Sequence, residues 1–503
     1  MSGAADAPLK KTEHRGMELC LVLFLALFGT ARVAVNALSF PFFGHIDEVQ
    51  HIDTLLKYAA LRPPSVRDDA YLPETTRLKV YFASPEYLPA GALPIPPVLW
   101  PDEVRRTHFA AYLKSRQVPA HQDHNYEAMQ PPTYYLLAGA WLRFGRWLGM
   151  HDIDALYFAR LFGALCLGAT VLLAWLVPRC FAPEHRFVRL AAPTLLAVLP
   201  QDCFYFITND PAGAPLGGLS LLLLLWLRRR GSFSLGLAAG ISVGATALVK
   251  VNNLLVFFAA GAIAAAHTAA QLRADRPALD RRVAGFALGA GTLFFGWIAW
   301  AFHASGEFYG TRHKTTILGY QAQTWDGLRN HPMWSLDGLW TFVSHTCGNF
   351  WRGEVYWHGV PMRFAWFDTA LLVLTAICLG ASLGAVLLRR PTRLPWPLAL
   401  PSYTLLVGGL LMLFGLSLYW DFARAYYPST QFPFAVSGRL LTLALVPFAV
   451  CFCDGLSRIA SRGRTALLVL LALALLGTEL LWMFPVIESD YNFWHLPRQA
   501  VPW

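Results

Sequence analysis

The sequence predicts an all-α protein that crosses a membrane many times, and two observations predict it. Of 503 residues, 55% are hydrophobic and only 14% charged, with a positive mean hydropathy, which is the composition of a polytopic membrane chain and not of a soluble domain. The apolar residues also gather into runs of about 17 to 24, long enough for a helix to cross a bilayer core. Such runs fall at 17–39, 132–149, 156–178, 187–207, 211–227, 232–249, 253–270, 283–303, 366–388, 400–418, 437–454 and 465–486.

The first run is as long as a full span. No small-residue cleavage site followed by a soluble domain accompanies it, so it reads as a span and not as a removed leader. The second, "PTYYLLAGAWLRFGRWLG", carries Arg143 and Arg146 and is barely long enough to cross. The distribution of basic residues arbitrates, because cytoplasmic loops collect Lys and Arg. Lys10, Lys11 and Arg15 place the N-terminal tail inside. If 132–149 lies on the membrane surface, "PRCFAPEHRFVR", "RRRGS", "QLRADRPALDRR", "LRRPTR" and "SRIASRGR" also fall inside, and all are basic. If it crosses, all five move outside. The expectation is therefore about eleven transmembrane helices plus one interfacial amphipathic helix and two large outer-face loops.

This divides the chain into a tail (1–16), an N-terminal module (17–303) containing outer loop 40–131 and the interfacial helix 132–149, an outer loop (304–365) and a C-terminal module (366–503). Loop 40–131 is rich in proline, and within it "DEVRRTHFAAYLKSR" reads as a helix. The net charge of +10 is explained by topology signals, so nucleic acid is not an expected partner. The eight cysteines lie mostly inside apolar runs, Cys347 alone falling in a long polar loop, and no CxxC pattern or disulfide framework is present.

The polar residues that interrupt this plan share one face of the membrane. Just beyond the first span, "FPFFGHIDEVQH" sets His45, Asp47, Glu48 and His51 among phenylalanines. Two solvated interface carboxylates are the plain reading. Desolvation there would instead raise a carboxylate toward general-base range. His51 lies one helical turn after Asp47, and His45, Glu48 and His51 have a spacing that could ligate a divalent metal, although not as HExxH.

Glu127 precedes the Pro-Pro pair that starts the surface helix, where an acid at a helix start needs no further reason. Asn209 and Asp210 sit in a tight turn between spans, in a position that a helix cap would also occupy. Lys250 ends a span with no acid beside it in sequence, and snorkelling is its plain explanation. Arg439 enters a span from the outer side, against the charge trend, and such an arginine suits a phosphate. The outer loops add Arg312, His313, Lys314, Arg352 and Arg363 among many aromatic residues, which read as an interfacial belt or as platforms for sugar faces.

Taken in order, these motifs resemble the GT-C superfamily of integral-membrane glycosyltransferases. The pattern is an acid after the first span, "E…PP.YYLL" before a surface helix, "ND" two spans on, "G…..K.N" at a later span end and a late "GR.L…P". It is most similar to the protein O-mannosyltransferases and the lipid A aminoarabinose transferase. The resemblance implies a GT-C-like fold and transfer of a sugar from a polyprenyl-phosphate donor to a glycan, lipid or protein acceptor. It places the active site on the periplasmic or outer face of a bacterial cytoplasmic membrane.

It carries the essential first-loop acid over to Asp47, with Glu48 beside it, and the further acids to Glu127 and Asp210. His45, His51, Tyr134 and Asn209 would support them. The aminoarabinose transferases have a lysine beside the acid and proline, where Met129 and Gln130 stand here. The donor phosphate would then need Lys250, Arg439 and Arg352. Family members differ over metal dependence, so the cofactor is left open, with a divalent metal the less favoured reading. A carboxylate base and fixed cations suit this chemistry, and attack opposite the leaving phosphate would invert the anomeric centre. The alternatives are an oligosaccharide ligase using a lipid diphosphate and a polyprenyl-lipid transporter or flippase, which would more typically place ionisable residues near the midplane.

Overall fold

Helices form where the apolar runs lie, because inside a bilayer only a helix satisfies its own backbone. A computed structural model describes residues 6–43, 47–65, 70–82, 95–115, 124–272, 281–308, 311–390, 394–425 and 428–496. The first run belongs to α1 (Asp6–Ser39). The outer segment after it holds α2 (Glu48–Ala59), α3 (Pro73–Phe82), α4 (Asp102–Ser115) and α5 (Thr133–Trp147). The bundle continues with α6 (Asp152–Phe181), α7 (Arg186–Ala197), α8 (Asp210–Arg229), α9 (Phe233–Ala247), α10 (Leu255–Leu272) and α11 (Arg281–Ser305). A second outer segment forms α12 (Thr311–Leu318), α13 (Trp325–Arg329) and α14 (Leu336–Arg352). Last come α15 (Ala365–Leu387), α16 (Trp396–Tyr419), α17 (Leu445–Ile459) and α18 (Arg464–Ile487). The protein is an all-α polytopic membrane protein. Among the described residues nine helices are long and apolar enough to cross a membrane.

The ends of these helices meet in two groups. At one end Glu18 accepts from Trp175 and Arg189, the Arg229 guanidinium reaches the Cys180 carbonyl, Arg282 reaches that of Leu227, and Arg458 pairs with Asp454. This end carries the basic connections. At the other end lie Asp47, Arg160, Asp210, Lys250, Arg439 and the backbone bond from Phe493 to Leu38. Among the described residues the chain passes between the two groups through the nine long apolar helices, with α7 and α9 as shorter ones.

Two expected spans are corrected. The 187–207 run is helical only to Ala197, and 198–209 passes through the protein in irregular form with one short 3-10 turn, Asp202–Phe204. Pro200 disfavours helix in the residue before it, and some of the polar groups that follow find partners inside the fold. The Gln201 amide donates to the carbonyls of Asn349 and Phe350, and Asp202 accepts the Glu354 N–H at 2.8 Å. Arg32 of α1 closes the broken helix end by donating to the carbonyls of Ala197 and Leu199, while Glu479 of α18 compensates its charge. Irregular backbone at this depth is tolerated because it is enclosed by protein.

The 232–249 run forms a 15-residue helix, α9. It is held by close approach to α11, where a Cβ on Gly236 or Gly240 would lie 2.3 Å from a carbonyl of α11, and one on Gly285 2.3 Å from a carbonyl of α9. Small residues four apart on both helices allow this contact, the usual route to tight packing in lipid.

The α5 helix stays at the Asp47 end. The Thr133 N–H donates to the Leu248 carbonyl, Tyr134 meets Phe162, and Trp141 donates to the Phe158 carbonyl, so α5 runs antiparallel to the first turns of α6. Its Leu136, Leu137, Phe144 and Trp147 are exposed. The longest helix of the 304–365 segment is α14, which buries Phe342, Phe350 and Trp351. Pairing of Gln321 with Asp421 and of Ala322 with Trp420 ties this segment to the end of α16. All eight cysteines are free, Cys347 half-buried on α14.

Candidate active site

Adjacent residues at the start of α2 face opposite ways. Asp47 holds the position before the helix but caps nothing; its carboxylate turns inward. It accepts from the Tyr126 hydroxyl at 2.8 Å and from Arg439 at 2.5 Å. Glu48 points into the core. Both its oxygens meet the Arg160 guanidinium, at 2.9 and 2.7 Å, and the N–H groups of Phe43 and Ile207 complete its shell. Glu48 is thus saturated, and its expected catalytic and metal-binding roles are withdrawn. Of the set His45, Glu48 and His51, His45 lies outside the described residues.

One turn along α2, His51 faces the same way as Asp47. Its Nδ1 lies 2.6 Å from the Tyr135 hydroxyl, and its Nε2 is buried with no hydrogen-bond partner among the described residues. Burial, reinforced by Lys250 and Arg439 and opposed by Asp47 and Asp210, lowers the His51 pKa to about 3, so the ring is neutral.

Glu127 is fixed by the turn before α5. Its N–H donates to the Asn125 side chain at 2.9 Å, while the Asn125 amide donates to the Gln50 carbonyl, Asp53 and Thr54. The Glu127 carboxylate is buried and takes Lys314 of α12 and the Gln130 amide. Burial alone would lower the Lys314 pKa; Glu127, with Asp47, reverses this and raises it. Lys314 also stands 5.5 Å from the centre of the Tyr126 ring.

Asp210 opens α8. One of its oxygens accepts from Lys250 at 2.7 Å, and the other lies 3.8 Å from Arg439. Asn209 donates to the Gln130 side chain at 3.3 Å and to the Val249 carbonyl at 3.2 Å. Asp47, His51, Glu127, Asn209, Asp210, Lys250 and Arg439 are therefore brought together from widely separated segments. With Lys314 included, three acids face three cations.

Three expectations change. Lys250 and Arg439 have no acid beside them in sequence, yet the fold gives them Asp210 and Asp47. Arg352 is occupied with Asp368 at 3.1 Å and the Gly353 carbonyl at 2.8 Å, which makes it a buttress. It stands behind Glu354, whose carboxylate takes Ser437, which in turn accepts from Arg439 at 3.3 Å. Tyr134 packs on Phe162 and Tyr135; Tyr135 is the tyrosine that meets the histidine.

Tyr126, Gln130, Tyr135 and Lys314 were not among the expected site residues. The first three flank Glu127 and the Pro-Pro pair and were readable as neighbours. Lys314 lies 187 positions from its partner, and no spacing connects the two.

The family model described as "Predicted membrane protein (DUF2142)" matches residues 102–424, more than half of the chain. The chain belongs to the DUF2142 family. No curated protein matches it. The DUF2142 match contains Glu127, Asp210, Lys250 and Lys314, whereas Asp47, His51 and Arg439 lie on either side of it. The site of this DUF2142 protein thus joins residues from within and beyond the matched segment.

Chemically, the site offers a buried carboxylate bonded to a tyrosine, cations that could meet a phosphate, and a neutral imidazole. Asp47, His51 and Glu127 each bring one atom able to ligate a metal, all within 4.8 Å of one another.

Proposed function

We propose that this protein is a polyprenyl-phosphate-dependent glycosyltransferase of GT-C type. In this reading it works at the outer face of a bacterial cytoplasmic membrane and passes a sugar to a glycan, lipid or protein hydroxyl. The observation that carries the reading is the Asp47 carboxylate, buried and shared between Tyr126 and Arg439, with the Lys250–Asp210 and Lys314–Glu127 pairs beside it.

In the proposed reaction the donor phosphate draws Arg439 and Lys250 from their carboxylates. Loss of the Arg439 charge raises the proton affinity of Asp47 at the moment a donor is in place. Asp47 then takes the proton of the acceptor hydroxyl as the oxygen bonds to C1 of the sugar. The C1–O bond to phosphate breaks, its electron pair leaves with the polyprenyl phosphate, and the fixed cations stabilise the charge that develops there. Attack from the face opposite the phosphate inverts C1.

The test is reconstitution of the purified chain in vesicles with a panel of radiolabelled polyprenyl-phosphate sugars. Release of polyprenyl phosphate with label passing to an acceptor, lost in Asp47→Asn, is the expected result. No consumption of any monophosphate donor overturns the reading. Consumption of a lipid diphosphate alone would instead favour a ligase.

A further inference from the structure

We propose that Asp47, His51 and Glu127 form a binding site for a divalent cation that accepts mixed oxygen and nitrogen ligands, such as Mn2+. The inference goes beyond the reading above, because transfer from a lipid phosphate does not itself require a metal. The three residues are buried, His51 to 1% exposure, and contribute two carboxylate oxygens and one imidazole nitrogen. This donor set suits Mn2+ and its neighbours among the divalent ions.

A carboxylate pair alone would not make a site; the histidine supplies the independent observation. Its Nε2 is buried without a partner among the described residues, and a buried polar atom left unpaired is costly. Its Nδ1 sits 2.6 Å from the Tyr135 oxygen. With Nδ1 donating to that oxygen, Nε2 presents a lone pair, the arrangement that orients ligating histidines elsewhere.

The ligand atoms lie within 4.8 Å of one another, wider than the about 3 Å between neighbouring ligands of a small octahedral ion. Closing that gap takes side-chain rotations and release of the two cations that now hold the carboxylates, Arg439 on Asp47 and Lys314 on Glu127.

The charge arithmetic favours a coupled exchange. Asp47, Glu127 and Asp210 are balanced by Arg439, Lys314 and Lys250. A dication alone leaves two excess positive charges in a buried site, and a phosphate dianion alone leaves two negative ones. Bound together they cancel, the metal taking the carboxylates and the phosphate taking the freed cations. This coupling, unlike the metal site itself, rests on the phosphate reading and describes its product state: the released polyprenyl phosphate is a monoester carrying up to two charges, whereas the donor is a diester carrying one and leaves Asp47 free to act as the base.

The experiment is a Mn2+ titration of the full chain in detergent, with free Mn2+ read by electron paramagnetic resonance. The wild type should bind one ion per chain. His51→Gln and Asp47→Asn should each weaken binding at least tenfold, Tyr135→Phe should weaken it less, and His303→Gln should bind as the wild type does. Metal-free melting of each variant checks that it is folded. A wild type that binds no Mn2+, or His51→Gln and Asp47→Asn both binding normally, overturns the site. Inorganic phosphate should tighten the Mn2+ affinity, and an unchanged affinity overturns the coupling. No sugar donor is present, so failure here is distinguishable from failure of the transferase reading.

Discussion

Glu48–Arg160 and Asp47–Arg439 are two ion pairs one residue apart in sequence, and they differ in kind. In the first pair neither side chain has any solvent exposure, and the acid is saturated by four donors. The pair joins the start of α2 to α6 and, through the Ile207 N–H, to the irregular segment before α8. In the second pair the side chains keep 12% and 10% of their exposure, and the cation has a second acid, Asp210, within reach. A buried pair with no spare valence holds a fold together. A pair at a polar cluster whose members can trade partners is able to react.

Substitutions can break or sharpen that contrast. The largest effect is expected from Asp47→Asn, which keeps the shape but removes the proposed base. The proposed sugar transfer should fall about 10²–10⁴-fold, the usual contribution of general-base catalysis, with melting in detergent little changed; turnover in reconstituted vesicles reads it. Glu48→Ala should behave in the opposite sense. It leaves Arg160 buried and uncompensated, which costs about 3–5 kcal/mol of stability, seen as early thermal unfolding and low yield. If Glu48→Ala melts normally, the distinction between the two acids fails.

A smaller change follows at Arg439. Arg439→Ala should weaken donor binding by about 1.5–3 kcal/mol, as for a charge-assisted hydrogen bond, without altering acceptor affinity. Arg439→Lys should recover part of it, because an ammonium cannot reproduce the guanidinium fork. Equilibrium binding of a polyprenyl phosphate separates the two variants. The smallest effect concerns pH. The His51 pKa is lowered to about 3 in the folded state, so the unfolded chain binds the extra proton first and stability falls as pH drops from about 6.5. Between pH 7 and 6 this amounts to about 0.7 kcal/mol. Melting curves of metal-free wild type and His51→Gln should differ by that slope.

Much of the fold was legible because a bilayer leaves a chain few choices. Apolar runs of span length became helices, and basic connections gathered at one end. The break after Ala197 was visible in principle at Pro200, Gln201 and Asp202 but was outweighed by the surrounding apolar residues. The glycines of α9 and α11 were equally visible, yet their partnership is a matter of two surfaces meeting.

Sequence singled out Asp47, Glu127, Asp210, Lys250 and Arg439 as polar residues at the ends of apolar runs, each with a plain explanation of its own, and the fold brings them together. It could not separate Asp47 from its neighbour Glu48, since that depends on where α6 places Arg160. It could not assign Lys314 to Glu127, because hydrogen-bond saturation and distant pairing are properties of the folded chain.

The break in α7 also bears on how the protein is made. Arg32 emerges within α1, the first helix of this chain, and donates to the carbonyls that the break exposes. Its counter-charge, Glu479, is 447 residues further along, in α18. Until α18 is made, the growing chain therefore carries an arginine in an apolar helix without the acid that pairs with it in the folded protein. A nascent chain halted before α18 should be recognised as unfinished and degraded, although eight of the nine long apolar helices found among the described residues precede it.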